Sequence, residues 1–202
     1  MSANQISLPA YRESNFFSPR LFGTIGMIGA PFLLLEFILP YLFGGVEPNG
    51  QLLGALEIVY LGGWISSVIG MRQLRATGNS GISKTMFAVQ LAGLFLALTF
   101  TVLQIARPNL DPNSLLLRVT DLAWPGSHLF MLFVGIAIIA GRVWRGWRRL
   151  PALLCGAGLP LFFALGPVVG PAIASIPFAV LTAVGFMSLG YAVRTGERAS
   201  GA

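Results

Sequence analysis

Three ionisable residues interrupt the long apolar stretches of this sequence: Glu36, Glu57 and His128, the last being the single histidine of the chain. Two carboxyl groups and an imidazole could together hold a proton or a cation. A nearby positive charge stabilises buried carboxylates in their ionised form. An ionisable residue in the middle of a membrane span costs about 2.5–3.5 kcal/mol on insertion scales. These three residues are therefore the first candidates for a functional site.

Two of the three belong to stripes of polar and aromatic residues at positions i, i+3 and i+7, a spacing that places side chains on one helix face. The stripes are Glu57, Tyr60 and Trp64, and Asp121, Trp124 and His128. We expect both stripes, with Glu36, to line one polar cavity, which Gln104 could join. The alternative is a satisfied hydrogen-bond network that only joins the helices.

The composition indicates where such helices lie. Of 202 residues, 55% are hydrophobic and only 10% charged, and the mean hydropathy is +0.77. Soluble domains carry about 25% charged residues, and about 20 apolar residues cross a bilayer. The sequence therefore predicts an all-α, polytopic transmembrane bundle with six spans, at 21–43, 52–71, 85–105, 122–140, 151–168 and 172–193. The fifth span contains Pro160 and Pro167, so a kinked or re-entrant segment stays open.

The basic residues predict the orientation of the bundle. Every Lys and Arg except Arg107 and Arg118 falls in the N-terminal segment, the loops 72–84 and 141–150, or the C-terminal tail. The side of a membrane protein that carries the excess of Lys and Arg is typically cytoplasmic. We expect an inner-membrane protein with both termini cytoplasmic. It would comprise an interfacial segment 1–20, one transmembrane domain 21–193 and a tail 194–202.

The predicted spans also place the three ionisable residues at similar depths. At 1.5 Å per residue, each would lie about 8–11 Å below the outer surface. The expected cavity would therefore open to the outside of the cell.

The segment 141–150 is the most basic part of the chain, and aromatic residues lie between its arginines. At the end of a span, this pattern is typical of anchoring to anionic lipid headgroups rather than of nucleic-acid binding. The predicted anchoring residues are Arg142, Trp144, Arg145, Trp147, Arg148 and Arg149. A homodimer or a membrane partner protein is a further expectation.

Metal binding and catalysis are weaker interpretations of the same residues. Glu36, Glu57 and His128 could ligate zinc or manganese, but no HExxH motif or second histidine supports this. Ser127 and His128 do not form a catalytic pair, because side chains at adjacent helix positions point apart. The sequence identifies no cofactor and no catalytic residue.

Three functions remain open at this point. The first is binding or transport of a small molecule or cation through an outward-facing polar cluster. The second is a structural or accessory subunit of a membrane complex, and the third is a membrane-embedded enzyme. The absence of a nucleophile or metal motif in the sequence favours the first two.

Overall fold

A computed structural model describes residues 17–46, 48–111 and 113–197. The described chain contains six α-helices, and each is long and apolar enough to cross a membrane. They are α1 (Pro19–Leu42), α2 (Gly50–Gln73), α3 (Gly81–Ala106), α4 (Leu115–Gly141), α5 (Pro151–Val169) and α6 (Pro171–Thr195). The predicted all-α bundle of six spans is confirmed, whereas most of the segment 1–20 and the end of the tail lie outside the described residues.

Side-chain caps and proline residues define where the helices begin. Ser18, Asn49, Ser80 and Ser114 each accept a hydrogen bond from a backbone N–H in the first turn of the following helix. Such caps satisfy donors that have no partner within the helix. The helices α1, α5 and α6 begin with proline, whose fixed φ suits the first helical position.

The start of α4 differs from the prediction. It begins at Leu115, about two turns before the predicted residue 122, because Ser114 caps it and the apolar run 115–117 forms its first turn. The helix α5 is continuous through Pro160 and Pro167, so this span is neither re-entrant nor broken.

The helices form a ring of antiparallel neighbours. Each packs against the next along the chain, α6 returns to α1, and α2 also contacts α6. The starts of α1, α3 and α5 lie at one end of the bundle, which we call the basic end, and the other is the opposite end. Basic residues described at the basic end are Arg20, Arg72, Arg75, Lys84, Arg142, Arg145, Arg148, Arg149 and Arg194.

Glycine allows α1 and α2 to pack closely. A Cβ atom on Gly29 would lie 2.8 Å from the Cα of Gly63, and a Cβ atom on Gly63 would lie equally close to the Cα of Gly29. Small residues that let two helix backbones approach are a common basis of packing between membrane helices.

The outer surface of the ring is apolar. Ile28, Phe133, Phe163 and Val184 are more than half exposed, as are many other large apolar side chains on the helices. In water, so extended an apolar surface would promote association. In a bilayer it contacts the lipid chains, in agreement with the apolar length of the six helices.

Candidate functional site

A cavity of about 550 Å³ lies at the opposite end of the bundle, where α1 ends, α2 begins and α3 ends. We call it the acidic cavity, because two of its described lining residues, Glu36 and Glu57, are acidic. Its lining consists of Glu36, Asn49, Gly50, Gln51, Leu53, Gly54, Glu57, Phe100, Thr101, Gln104, Ile105 and Pro108.

The two glutamates come from neighbouring helices and are close enough to interact electrostatically. Both side chains are partly buried. The Oε2 atom of Glu36 is buried, and no described residue forms a hydrogen bond with it. The hydroxyl of Thr101 on α3, which donates to the Ala97 carbonyl oxygen at 3.3 Å, lines the same cavity. The cavity thus combines two carboxyl groups with at least one oxygen atom that has no described partner.

Neutral polar groups complete the lining. Thr101 and Gln104 are one turn apart on α3, and Asn49 caps α2 by accepting a hydrogen bond from the Gln51 N–H at 2.9 Å. Sequence reasoning found Gln104 but missed Asn49, Gln51 and Thr101. The i, i+3 spacing of Thr101 and Gln104 on one helix could have indicated Thr101, whereas no pattern in the sequence indicated Asn49 and Gln51, where α2 begins.

His128 does not line the acidic cavity. At about 1.5 Å per residue, Glu36 is about 9 Å from the end of α1 and Glu57 about 10 Å from the start of α2. His128 is about 20 Å from the start of α4. The earlier start of α4 therefore places His128 near the middle of the bundle, deeper than predicted.

The His128 ring joins three helices through its two nitrogen atoms. Its Nε2 is 3.2 Å from the Tyr60 Oη on α2, and its Nδ1 is 3.4 Å from the Cys155 carbonyl oxygen on α5. A carbonyl oxygen can only accept, so Nδ1 donates and, in a neutral ring, Nε2 accepts from the tyrosine hydroxyl. The ring is fully buried and bonds to neither glutamate.

Aromatic rings surround His128 on its other sides. The centroids of Trp64 and Trp124 each lie 4.6 Å from that of the imidazole, and Phe178 and Phe186 lie at 5.7 and 5.9 Å. We call these five residues, with Tyr60, the His128 cluster. The cluster fills the interior where α2, α4 and α6 meet, so it is a packed core and not a cavity wall.

The seven residues expected to line one cavity are thus separated by the fold. Glu36 and Glu57 line the acidic cavity, whereas Tyr60, Trp64 and His128 are buried in the His128 cluster, together with the partly buried Trp124. Asp121 is exposed on α4, outside the lining, although it is close enough to Glu57 to interact electrostatically.

The arrangement offers little support for a metal centre. Within the described ranges, no three His, Cys, Asp or Glu side chains are grouped closely enough to hold a metal ion. Glu36, Glu57 and His128 therefore do not form one metal site in this structure. Cys155, the single cysteine of the chain, is buried beside the His128 cluster and carries a free thiol.

The basic segment between α4 and α5 contains a short 3-10 helix, Gly146–Arg149. Trp144 is buried. The Arg148 side chain donates a hydrogen bond to the Thr195 carbonyl oxygen, and the Arg149 side chain donates one to the Trp144 carbonyl oxygen. The other predicted anchoring residues, Arg142, Arg145 and Trp147, are exposed.

No family model, no curated protein and no solved structure matches this chain.

Proposed function

We propose that this integral membrane protein binds a small organic cation, such as an amine, in the acidic cavity. The observation that carries the proposal is the pairing of Glu36 and Glu57 around a cavity, with a buried Glu36 oxygen that has no described hydrogen-bond partner. A buried carboxylate without a partner is costly. A positively charged ligand that donates hydrogen bonds would offset that cost.

The charge of the cavity supports a cation. Among the described residues that line it, two are acidic and none is Lys or Arg. The ionised forms of the two carboxyl groups, on neighbouring helices, repel each other. A bound cation would relieve that repulsion.

The size and the apolar lining support an organic ligand over a bare metal ion. A volume of about 550 Å³ falls in the range of about 300–1,000 Å³ typical of small-molecule sites. Leu53, Ile105 and the ring of Phe100 supply apolar contacts beside the carboxyl groups. An aromatic face also attracts organic cations.

The orientation inferred from the basic residues is part of the proposal. Positive residues concentrate on the cytoplasmic side of membrane proteins, which assigns the basic end to the cytoplasm and opens the acidic cavity to the outside. The buried His128 cluster lies below the cavity, so transport across the bundle would require that cluster to separate. Binding is therefore the function that the geometry supports best, and a homodimer or partner protein stays a prediction.

The test is thermal unfolding of the purified protein in a neutral detergent, with putrescine as the probe and 1,4-butanediol as its uncharged analogue. A ligand at 100 times its Kd stabilises by about 2.7 kcal/mol. We expect putrescine to raise the Tm of the wild type, and 1,4-butanediol to leave it unchanged. The double variant Glu36→Gln/Glu57→Gln should lose the response.

The control is Asp111→Asn, which removes a charge from an exposed position at the same end, outside the lining of the cavity. It should keep the response to putrescine. An equal response in all three proteins, or a response to sodium or magnesium ions but not to putrescine, would overturn the proposal.

A further inference from the structure

A second charged cavity lies at the basic end, where α2 ends and α3 begins. We call it the basic pocket: it has a volume of about 470 Å³ and is lined by Arg72, Gln73, Arg75, Asn79 and Lys84. Three of these side chains are cationic, and they come from α2, from the connecting loop and from the first turns of α3.

The positive charge of the basic pocket is not neutralised within the described chain. No described carboxylate forms an ion pair with Arg72, Arg75 or Lys84. The only acidic residue described at this end is Glu197, which is exposed and does not line the pocket. Three cations that face one cavity without a counter-charge repel one another, so an anionic ligand would be favoured there.

The loop that carries Arg75 is held in place on both sides. Arg75 has a φ of 54° and lies between Leu74 and Ala76, which are both buried. The Arg75 carbonyl oxygen accepts a hydrogen bond from the Gly78 N–H at 2.7 Å. A fixed loop loses little conformational freedom when a ligand binds, which favours binding.

A second set of contacts fastens the same loop to α3. The Ser83 hydroxyl bonds to Thr77 and donates to the Gly78 carbonyl oxygen at 2.9 Å, and Ser83 is buried. The backbone positions of Asn79 and Lys84 on either side of this contact are therefore held by the fold.

We propose that the basic pocket binds a phosphate group, supplied by an anionic phospholipid or by a soluble phosphate. A guanidinium group can donate two parallel hydrogen bonds to two oxygen atoms of one phosphate. Lys84 and the Asn79 amide offer further donors. The pocket also lies where the apolar helices α2 and α3 meet at one end of the bundle, and basic residues at the ends of membrane helices attract anionic headgroups. This site is independent of the acidic cavity, so either proposal can fail without the other.

The experiment measures thermal unfolding in dodecyl maltoside micelles with phosphatidylglycerol, phosphatidylcholine or sodium phosphate added, and sodium chloride at equal ionic strength as the reference. We expect phosphatidylglycerol or sodium phosphate to raise the Tm of the wild type. In the variant Arg72→Gln/Arg75→Gln/Lys84→Gln, the apparent affinity should fall at least about tenfold, because hydrogen bonds to charged groups are lost.

The control is Arg20→Gln/Arg194→Gln, which removes exposed charges from the same end outside both the basic pocket and the predicted anchoring segment. It should bind as the wild type does. Lys84→Gln alone, at an exposed position, provides a mild variant that should fold and should weaken binding partly.

The arms distinguish the source of the phosphate group. A response to phosphatidylglycerol alone identifies a lipid headgroup, whereas a response to sodium phosphate identifies a soluble phosphate, and both results support the site. The proposal is overturned if neither probe raises the Tm, if phosphatidylcholine acts as phosphatidylglycerol does, or if the control variant loses binding as much as the pocket variant.

Discussion

Tyr60 and His128, which lie 68 residues apart in the sequence, meet in the middle of the bundle with the tyrosine Oη 3.2 Å from the histidine Nε2. Both side chains are fully buried, and the other ring nitrogen bonds to the Cys155 carbonyl oxygen. One imidazole therefore links α2, α4 and α5 through polar contacts that lipid cannot replace.

Tyr60→Phe tests the strength of this link. The change leaves the His128 Nε2 buried without its partner, and we expect a loss of about 1–2 kcal/mol in the free energy of unfolding. The measurement is an unfolding titration with sodium dodecyl sulfate. Tyr191→Phe is the control, because the Tyr191 side chain is about half exposed and forms no described hydrogen bond. Equal losses in the two variants would contradict the structural role of the Tyr60 hydroxyl.

Gly29→Ala tests the close approach of α1 and α2. The added Cβ would lie 2.8 Å from the Gly63 Cα, so the helices must move apart, and we expect destabilisation of about 1–3 kcal/mol. Gly62→Ala, one residue from Gly63, is the control, because its Cβ would meet nothing within 4 Å. Thermal unfolding should separate the two, and a Gly62→Ala variant as unstable as Gly29→Ala would argue against this packing.

Glu36→Gln is expected to stabilise the protein in the absence of ligand. The Oε2 atom of Glu36 is buried without a described partner, so removal of the charge lowers the cost of burial, by about 1 kcal/mol or more. Gains in stability at the expense of binding are typical of functional sites. The measurement is the Tm without ligand, beside that of Asp111→Asn at an exposed position. A lower Tm for Glu36→Gln would indicate that the carboxylate has a structural partner.

Ser114→Ala tests the start of α4. The Ser114 hydroxyl accepts a hydrogen bond from the Leu117 N–H, and loss of such a cap costs about 1 kcal/mol. Ser114→Asp is the control, since aspartate caps helices about as well as serine. If the alanine and aspartate variants unfold at the same temperature, α4 does not depend on this cap.

The proposed orientation is tested with single cysteines at exposed positions, introduced in a Cys155→Ala background. Asn109→Cys lies at the opposite end and Glu197→Cys at the basic end. A maleimide that cannot cross membranes should label Asn109→Cys in intact cells, and Glu197→Cys only after permeabilisation. The reverse pattern would invert the orientation and turn the acidic cavity towards the cytoplasm.

The number of helices and the existence of two unlike ends could be predicted from the sequence alone. Apolar length and the positions of Arg and Lys are properties of the linear chain, because a bilayer selects spans by length and composition. Glu36 and Glu57 were identified for the same reason: a carboxyl group in an apolar run stands out wherever its helix packs. They share a cavity because α1 and α2 are consecutive antiparallel helices and both residues lie within about two turns of the ends that face each other.

The grouping of the other residues was decided by the tertiary structure. Ser114 starts α4 earlier than apolar length suggested, which moves His128 towards the middle of the bundle. The rotation of α2 then turns Tyr60 and Trp64 towards that histidine, which Trp124 contacts from one turn earlier on the same helix, whereas Asp121 is exposed. The basic pocket likewise depends on a loop in which Arg75 adopts positive φ between two buried residues. Depth, rotation and loop path depend on packing between helices, because contacts among residues distant in sequence determine them.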